Sequence, residues 1–171
     1  VWSSFTDWGK NGGDYNEIEA PLVTFKTLFS KYIDLNLHKI KYIKIDIEGY
    51  DLLALKSLLE TNVRPKYISI ESGKKEILDL LDNAGYKRFQ YIQQKDNFNK
   101  KVKITKKNKH QIDYTLENGS SGPFGKDLDK TKWLDKETVY KQISKVWNDD
   151  GTKVEGHIDD IHGWFDLHAK Y

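Results

Sequence analysis

Apolar residues alternate through Tyr42-Ile-Lys-Ile-Asp-Ile47 and then recur at Leu52, Leu53, Leu55, Leu58 and Leu59. The first spacing, rich in β-branched residues, suits a buried strand, and the second suits an amphipathic helix. Gly49 lies between them and permits a sharp turn. Asp51 falls in the first helical turn, where the helix dipole favours a carboxylate. The stretch therefore reads as a strand running straight into a helix, the basic unit of an α/β sheet. Ligands of such sheets bind outside the carboxyl ends of the strands. Asp46 and Glu48 stand at that end.

The same periodicities continue along the chain. Leu22 and Val23 could end a short strand, and Thr24 is placed to cap a helix carrying Leu28, Phe29, Tyr32 and Ile33. Asn62 and Arg64-Pro65 break the chain after the leucine-rich helix. Lys66 to Ile70 reads as the next buried strand, ending at Glu71. Lys74 to Ala84 carries Ile77, Leu78, Leu80 and Leu81 on one stripe and closes at Gly85. Tyr86 to Gln94 alternates as a strand. Asp135 is placed to cap a helix with Val139, Tyr140, Ile143, Val146 and Trp147 facing inward, ended by Asn148-Asp-Asp-Gly151. Gly163 to Ala169 is the last strand. The strands near 42–47 and 66–71 are expected to lie side by side and parallel, with the last strand antiparallel to them.

Composition narrows the picture. At 171 residues the expectation is one domain, 1–171, with a core of useful size. Only 37% of the residues are hydrophobic, but they cluster into the elements above. The net charge of +2 gives no strong steering toward nucleic acid or membrane. The chain contains no cysteine, which excludes disulfides and thiolate chemistry and suits a reducing, cytoplasmic location. No apolar run is long enough to span a membrane. Residues 95–110 turn to lysine and asparagine, with Phe98 the sole aromatic, and read as a solvated insertion or hairpin. A lysine-rich nucleic-acid-binding domain is the weakest alternative, since no groove-reading helix accompanies the charge.

Candidate chemistry gathers at the strand ends. Alternation places Lys44, Asp46 and, approximately, Glu48 on one side of the first strand, and Ser69 and Glu71 on the matching side of its neighbour. Three carboxylates thus point toward one sheet edge with Lys44 behind them. They could form a coupled base or acceptor-orienting cluster, or a structural network in which Lys44 neutralises Asp46. Asp166 and His168 share one face of the last strand and could reach that edge or simply pair. His157-Ile-Asp-Asp-Ile-His162 offers metal-type ligands without the tight spacing of a recognised site, so a polar loop and no metal is the expectation.

Lys44-Ile-Asp-Ile-Glu-Gly-Tyr-Asp51, the leucine-rich helix after it, and Arg64-Pro-Lys-Tyr-Ile-Ser-Ile-Glu71 resemble the FkbM family of methyltransferases. Gly119-Ser-Ser-Gly-Pro-Phe-Gly125 and Trp164-Phe-Asp-Leu-His-Ala169 are similar to a subgroup of it. The resemblance runs from about Leu22 onward. It implies an α/β, Rossmann-like sheet, mostly parallel with an antiparallel last strand. It also implies methyl transfer from S-adenosylmethionine to a hydroxyl of a sugar or small metabolite, hence a small-molecule or glycan acceptor. Asp46, Glu48, Glu71 and His168 are the catalytic candidates. Asp7-Trp-Gly-Lys-Asn-Gly-Gly13 looks like the family's cofactor loop. However, Val1 to Thr6 make a poor buried strand and no amphipathic helix follows Gly13, so a surface turn is expected there. Only 43 residues precede Lys44. The first strands and the donor loop are therefore expected to be missing, leaving this chain alone inactive. The rival from another class is a non-catalytic scaffold half-domain of the same fold.

Overall fold

The computed structural model describes residues 19–32, 39–105, 109–117, 120–155 and 164–171. The alternating stretch forms β1 (Tyr42–Ile45), which leads through a short turn into α2 (Asp51–Leu59). Then follow β2 (Tyr67–Glu71), α3 (Lys75–Asn83) and β3 (Arg88–Gln93). The last strand is β6 (Phe165–Lys170). These four strands make one sheet in the order β1-β2-β6-β3. β1 and β2 are parallel, and β6 slots between β2 and β3 antiparallel to both. Both sequence expectations about strand direction hold.

The two faces of this sheet differ in chemistry. Ile43, Ile45, Ile68, Ile70, Phe89, Leu167 and Ala169 pack with Leu55, Leu58, Ile77, Leu78, Leu81, Val139 and Ile143 from α2, α3 and α4 (Lys136–Ser144). Burying each such side chain stabilises the fold by about 1.5–3 kcal/mol. Because side chains alternate, the other face receives the polar set. Lys44 is paired in register with Ser69, Ser69 with His168, His168 with Gln90, and Glu71 with Asp166. Helices do not cover these residues. An irregular strap over residues 120–134 does: Phe124 stacks on Tyr42 with ring centres 5.8 Å apart, and Trp133 tilts against Tyr67 at 6.1 Å. Leu134 exchanges two 2.9 Å backbone hydrogen bonds with Phe89.

Element ends follow the local chemistry with three departures. Thr24 does cap a helix, its hydroxyl accepting from the Thr27 amide at 3.1 Å. That helix, α1 (Phe25–Thr27), is three residues long before it widens into a π-turn over Leu28–Tyr32. So short a helix has little stability of its own, and the Phe25 amide is instead fixed by Ser57 Oγ at 2.9 Å. α4 is capped by Asp135 as expected but stops at Ser144, before Val146 and Trp147. The amides of those two residues turn back to the Ile143 carbonyl, and Val146 then pairs with Val154 around the Gly151 turn. The third departure concerns residues 95–110. A hairpin is present, β4 (Lys101–Thr105) with β5 (Gln111–Thr115), forming its own two-stranded sheet. Its base is not a solvated loop, however. Gln94 and Asn97 are buried, and the Gln94 side-chain oxygen accepts from Asn97 Nδ2 at 2.6 Å and from the Gly122 amide at 2.8 Å. This pins the strap to the end of β3.

Candidate active site at the carboxyl edge of the sheet

The turn between β1 and α2 is shaped by one carboxylate. Asp51 accepts hydrogen bonds from the Ile47 amide at 3.1 Å and the Gly49 amide at 3.2 Å. The chain between them passes through the left-handed region, with φ +48° at Glu48 and +97° at Gly49. Such a conformation costs a non-glycine residue about 1–2 kcal/mol, and the Asp51 hydrogen bonds hold it in place. The result aims Glu48 at the sheet edge. Asp51 was expected only to complement the helix dipole; an aspartate two residues after a turn glycine was the available signal that it could reach back.

Beside this turn the charges are unevenly matched. The Lys44 ammonium lies 3.1 Å from Asp46 Oδ2 and 3.1 Å from Asp166 Oδ2, and donates to Ser121 Oγ of the strap at 3.3 Å. The Phe124 ring sits 5.0 Å from it. Burial alone would lower the lysine's pKa, but Asp166 and then Asp46 outweigh that and hold it above its ordinary value. Asp166 has no exposed surface, and burial pushes its carboxyl up against the opposing pull of Lys44.

Glu71 ends β2 next to this group. Among the described residues it makes no ion pair and no side-chain hydrogen bond. Burial, then the charges of Asp46, Asp166 and Glu48, push its carboxyl up to about 8. Glu48 is also raised, by burial first and then by Asp46 and Asp51. Glu48 and Glu71 line a cleft of about 280 Å³ with Asp51, Trp147, Lys153 and Trp164. A neighbouring recess of about 190 Å³ shares Glu71, Gly73 and Trp147. Gly73 is required there, because a Cβ would come within 2.3 Å of the Trp147 indole. The same indole donates to Tyr91 Oη at 2.7 Å, so the aromatic wall of the cleft is fixed on two sides.

A larger cavity, about 470 Å³, lies at the opposite end of the sheet between Lys26, Phe29, Ile40 and Arg64. The Arg64 guanidinium is already engaged by the carbonyls of Leu59, Thr61 and Val63. Among the described residues no carboxylate lines that cavity, so we place the site at the carboxyl edge.

The structure thus brings Asp46, Glu48 and Glu71 to one edge, as the alternation implied. His168 is placed elsewhere, 1% exposed within the sheet, with Nδ1 2.7 Å from Ser69 Oγ and Phe124 above it at 5.9 Å. Burial, and then the Lys44 charge, hold its pKa down to about 3, so the ring is neutral. It does not line the cleft. The Asp7–Gly13 motif and the His157 and His162 pair lie outside the described residues. Among the described residues, no group of three or more acidic or histidine side chains is placed to hold a metal ion, and no helix is long and apolar enough to cross a membrane. Sequence reasoning missed Ser121 as a partner of Lys44, and it assigned Trp147 to a helix interior.

The arrangement is a half-buried carboxyl poised to exchange a proton near neutral pH, beside an acidic, aromatic-walled cleft. Searches of curated proteins and of solved structures return no match. A family model described as the methyltransferase FkbM domain matches residues 2–88. That match begins upstream of Leu22, so it includes the front that the motifs alone set apart. It covers β1, α2, β2 and α3, and ends before the strap and β6. Spanning just over half of the 171 residues, it shows that the chain belongs to the FkbM methyltransferase family.

Proposed function

We propose that the protein is an S-adenosylmethionine-dependent methyltransferase acting on a hydroxyl of a sugar or small metabolite, with the sheet above as part of a Rossmann-like fold. The observation that carries this reading is Glu71: a carboxyl with no ion-pair partner among the described residues, raised to about 8, on the wall of a cleft in a methyltransferase family member. A base whose pKa lies near the working pH combines a usable ionised fraction with real proton affinity.

The site's charge fits the donor. Asp46, Glu48 and Asp166 outnumber the Lys44 ammonium, and this acidic excess complements a cationic sulfonium. Asp46 and Glu48, at the mouth of the turn, are the residues that would face that charge. S-adenosylmethionine, when bound, supplies an electrophilic methyl group: an O–C bond forms, the C–S bond breaks with its electron pair left on sulfur, and the acceptor hydroxyl gives up its proton. Glu71, ionised, accepts that proton and becomes neutral. Trp147 and Trp164 line the cleft and offer flat apolar walls to an acceptor ring. His168 stays neutral and supports Ser69 on the neighbouring strand pair, which keeps β2 and β6 in register behind Glu71.

The test is transfer of labelled methyl from S-adenosylmethionine to a panel of glycosides and hydroxylated metabolites, with the full-length protein and its Glu71→Gln variant. Label should appear on an acceptor oxygen and fall by about 10²–10⁴-fold in the variant. Undiminished transfer by Glu71→Gln would remove Glu71 from this role.

A further inference from the structure

Lys44 pairs with two carboxylates of the cluster, yet Glu71 makes no ion pair among the described residues, and the surroundings of Lys44 show why. An ammonium has three N–H donors. Three side chains from three separate elements surround this one: Asp46 at the end of β1, Asp166 on β6 and Ser121 on the strap, at 3.1, 3.1 and 3.3 Å. Phe124 closes a further side. Asp166 is the deepest of the three, with no exposed surface, and it stands directly beside Glu71 in the strand register. It would be the natural competitor of Glu71 for any cation placed between β2 and β6.

From this geometry we infer that Asp166, assisted by Ser121, is a positioning residue that captures the Lys44 ammonium and so leaves the neighbouring Glu71 free to act as a proton acceptor. The inference rests on the reaction proposed for Glu71. Without Asp166, Lys44 would have one engaged carboxylate, Asp46, and a free N–H directed at the β2–β6 pair, where Glu71 is the next carboxylate. A salt-bridged Glu71 would be held ionised and would be a poor base near neutral pH. The buried carboxylate therefore acts on the reaction at one remove, without touching acceptor or donor.

The other charged groups around Glu71 leave this division of partners in place. From the turn and α2 it faces Asp46, Glu48 and Asp51, all acidic. From the hairpin after α4, Lys153 lines the same cleft, and Lys74 lines the adjoining recess. The ion pairs that are formed among the carboxylates of this edge are those of Lys44 with Asp46 and Asp166.

The experiment is a pH titration of the Glu71 side-chain carboxyl by ¹³C NMR in the full-length protein with labelled glutamate, run on the native sequence, Asp166→Asn and Ser121→Ala. This readout needs no turnover, so it is separate from the test of the reaction itself. Asp166→Asn should lower the Glu71 midpoint by about one pH unit or more, loss of the Asp166 charge and the newly available Lys44 ammonium acting with the same sign. The part due to Lys44 should be missing from Asp166→Asn combined with Lys44→Gln. Ser121→Ala, at a half-exposed position with little risk to folding, should lower it by a smaller step of the same sign. The pH–rate profile should move with the midpoint. An unchanged midpoint in Asp166→Asn, or an equal fall in the double variant, overturns the inference. If that variant does not fold, an unchanged midpoint in Ser121→Ala overturns it. A lowered midpoint in a protein that transfers no methyl group would uphold the pairing and reject only the proposed reaction.

Discussion

Glu71→Gln should make the protein more stable and less active, and the stability half can be worked from the structure. The Glu71 carboxyl is raised from 4.5 to about 8 in the folded chain. Between those values the folded state keeps the proton and the unfolded state has released it. The stabilisation is thus fully present below pH 4.5 and is lost as pH rises through about 8. The window is 8 − 4.5 = 3.5 pH units wide. At about 1.4 kcal/mol per unit this bounds the loss at about 5 kcal/mol. Glu71 is partly exposed, and solvent screening reduces the figure to about 2 kcal/mol. Glutamine keeps the shape and cannot ionise. Urea denaturation at pH 4, 6, 7.5 and 9 should show the variant equal to the native protein at pH 4 and about 2 kcal/mol more stable at pH 9. In melting temperature that is about 4–8 °C for a chain of this size. Stability curves that stay parallel across the range would mean that Glu71 titrates normally, and the case for it as a base near neutral pH would fall with them. A residue kept at a cost in stability, while its loss costs turnover, is the expected mark of a functional carboxyl.

Two further outcomes follow from the same geometry. Gly73→Ala should destabilise by about 1–3 kcal/mol in denaturant titration, because its Cβ meets the Trp147 indole ring, and it should lower acceptor affinity by displacing that wall. For His168, held down to about 3 from 6.5, the folded state contributes stability present above pH 6.5 that is lost as pH falls toward about 3. His168→Gln should therefore flatten the acid limb of the stability curve by about 2–4 kcal/mol over that window, measured from pH 7 to 3. A variant that loses stability with acid as steeply as the native chain would mean that His168 is already charged in the fold.

The sheet was legible in the sequence because its two periods are clean. Ile43 and Ile45 alternate, Leu55 and Leu58 repeat at helical spacing, and Gly49 marks the change between them. The parallel β1–β2 pair and the antiparallel β6 follow from such patterns together with the rules for strand connection. Asp46, Glu48 and Glu71 were legible as a group for the same reason, since strand alternation and a shared sheet edge determine where they stand. What period could not show is anything held by contacts between distant segments. The strap over residues 120–134 has no period, and its place is set by stacking on Tyr42 and by the Gln94–Gly122 hydrogen bond. Trp147 sits at the phase of an inward helical residue, but the helix ends before it and the side chain becomes a wall of the cleft.

Asp166 shows where the boundary between pattern and contact falls. Alternation correctly put it on the polar face with His168, yet gave no reason to separate the two. Separation comes from the register of β6 against β2: one pairing step puts His168 opposite Ser69, deep under Phe124, and the next in-facing residue opposite Glu71 at the edge. Two residues further along the strand change a neutral structural imidazole into a charged neighbour of the cleft. The fate of Lys44 depends on the same register, because its ammonium meets Asp166 across a sequence separation of 122. A slip of one residue in β6 would turn both side chains to the apolar face. Lys44 would then be left with Asp46 and Ser121 and without its most deeply buried carboxylate. The apolar residues Leu167 and Ala169, which pin β6 against the helices, therefore also fix which carboxylate at the edge goes without a cation.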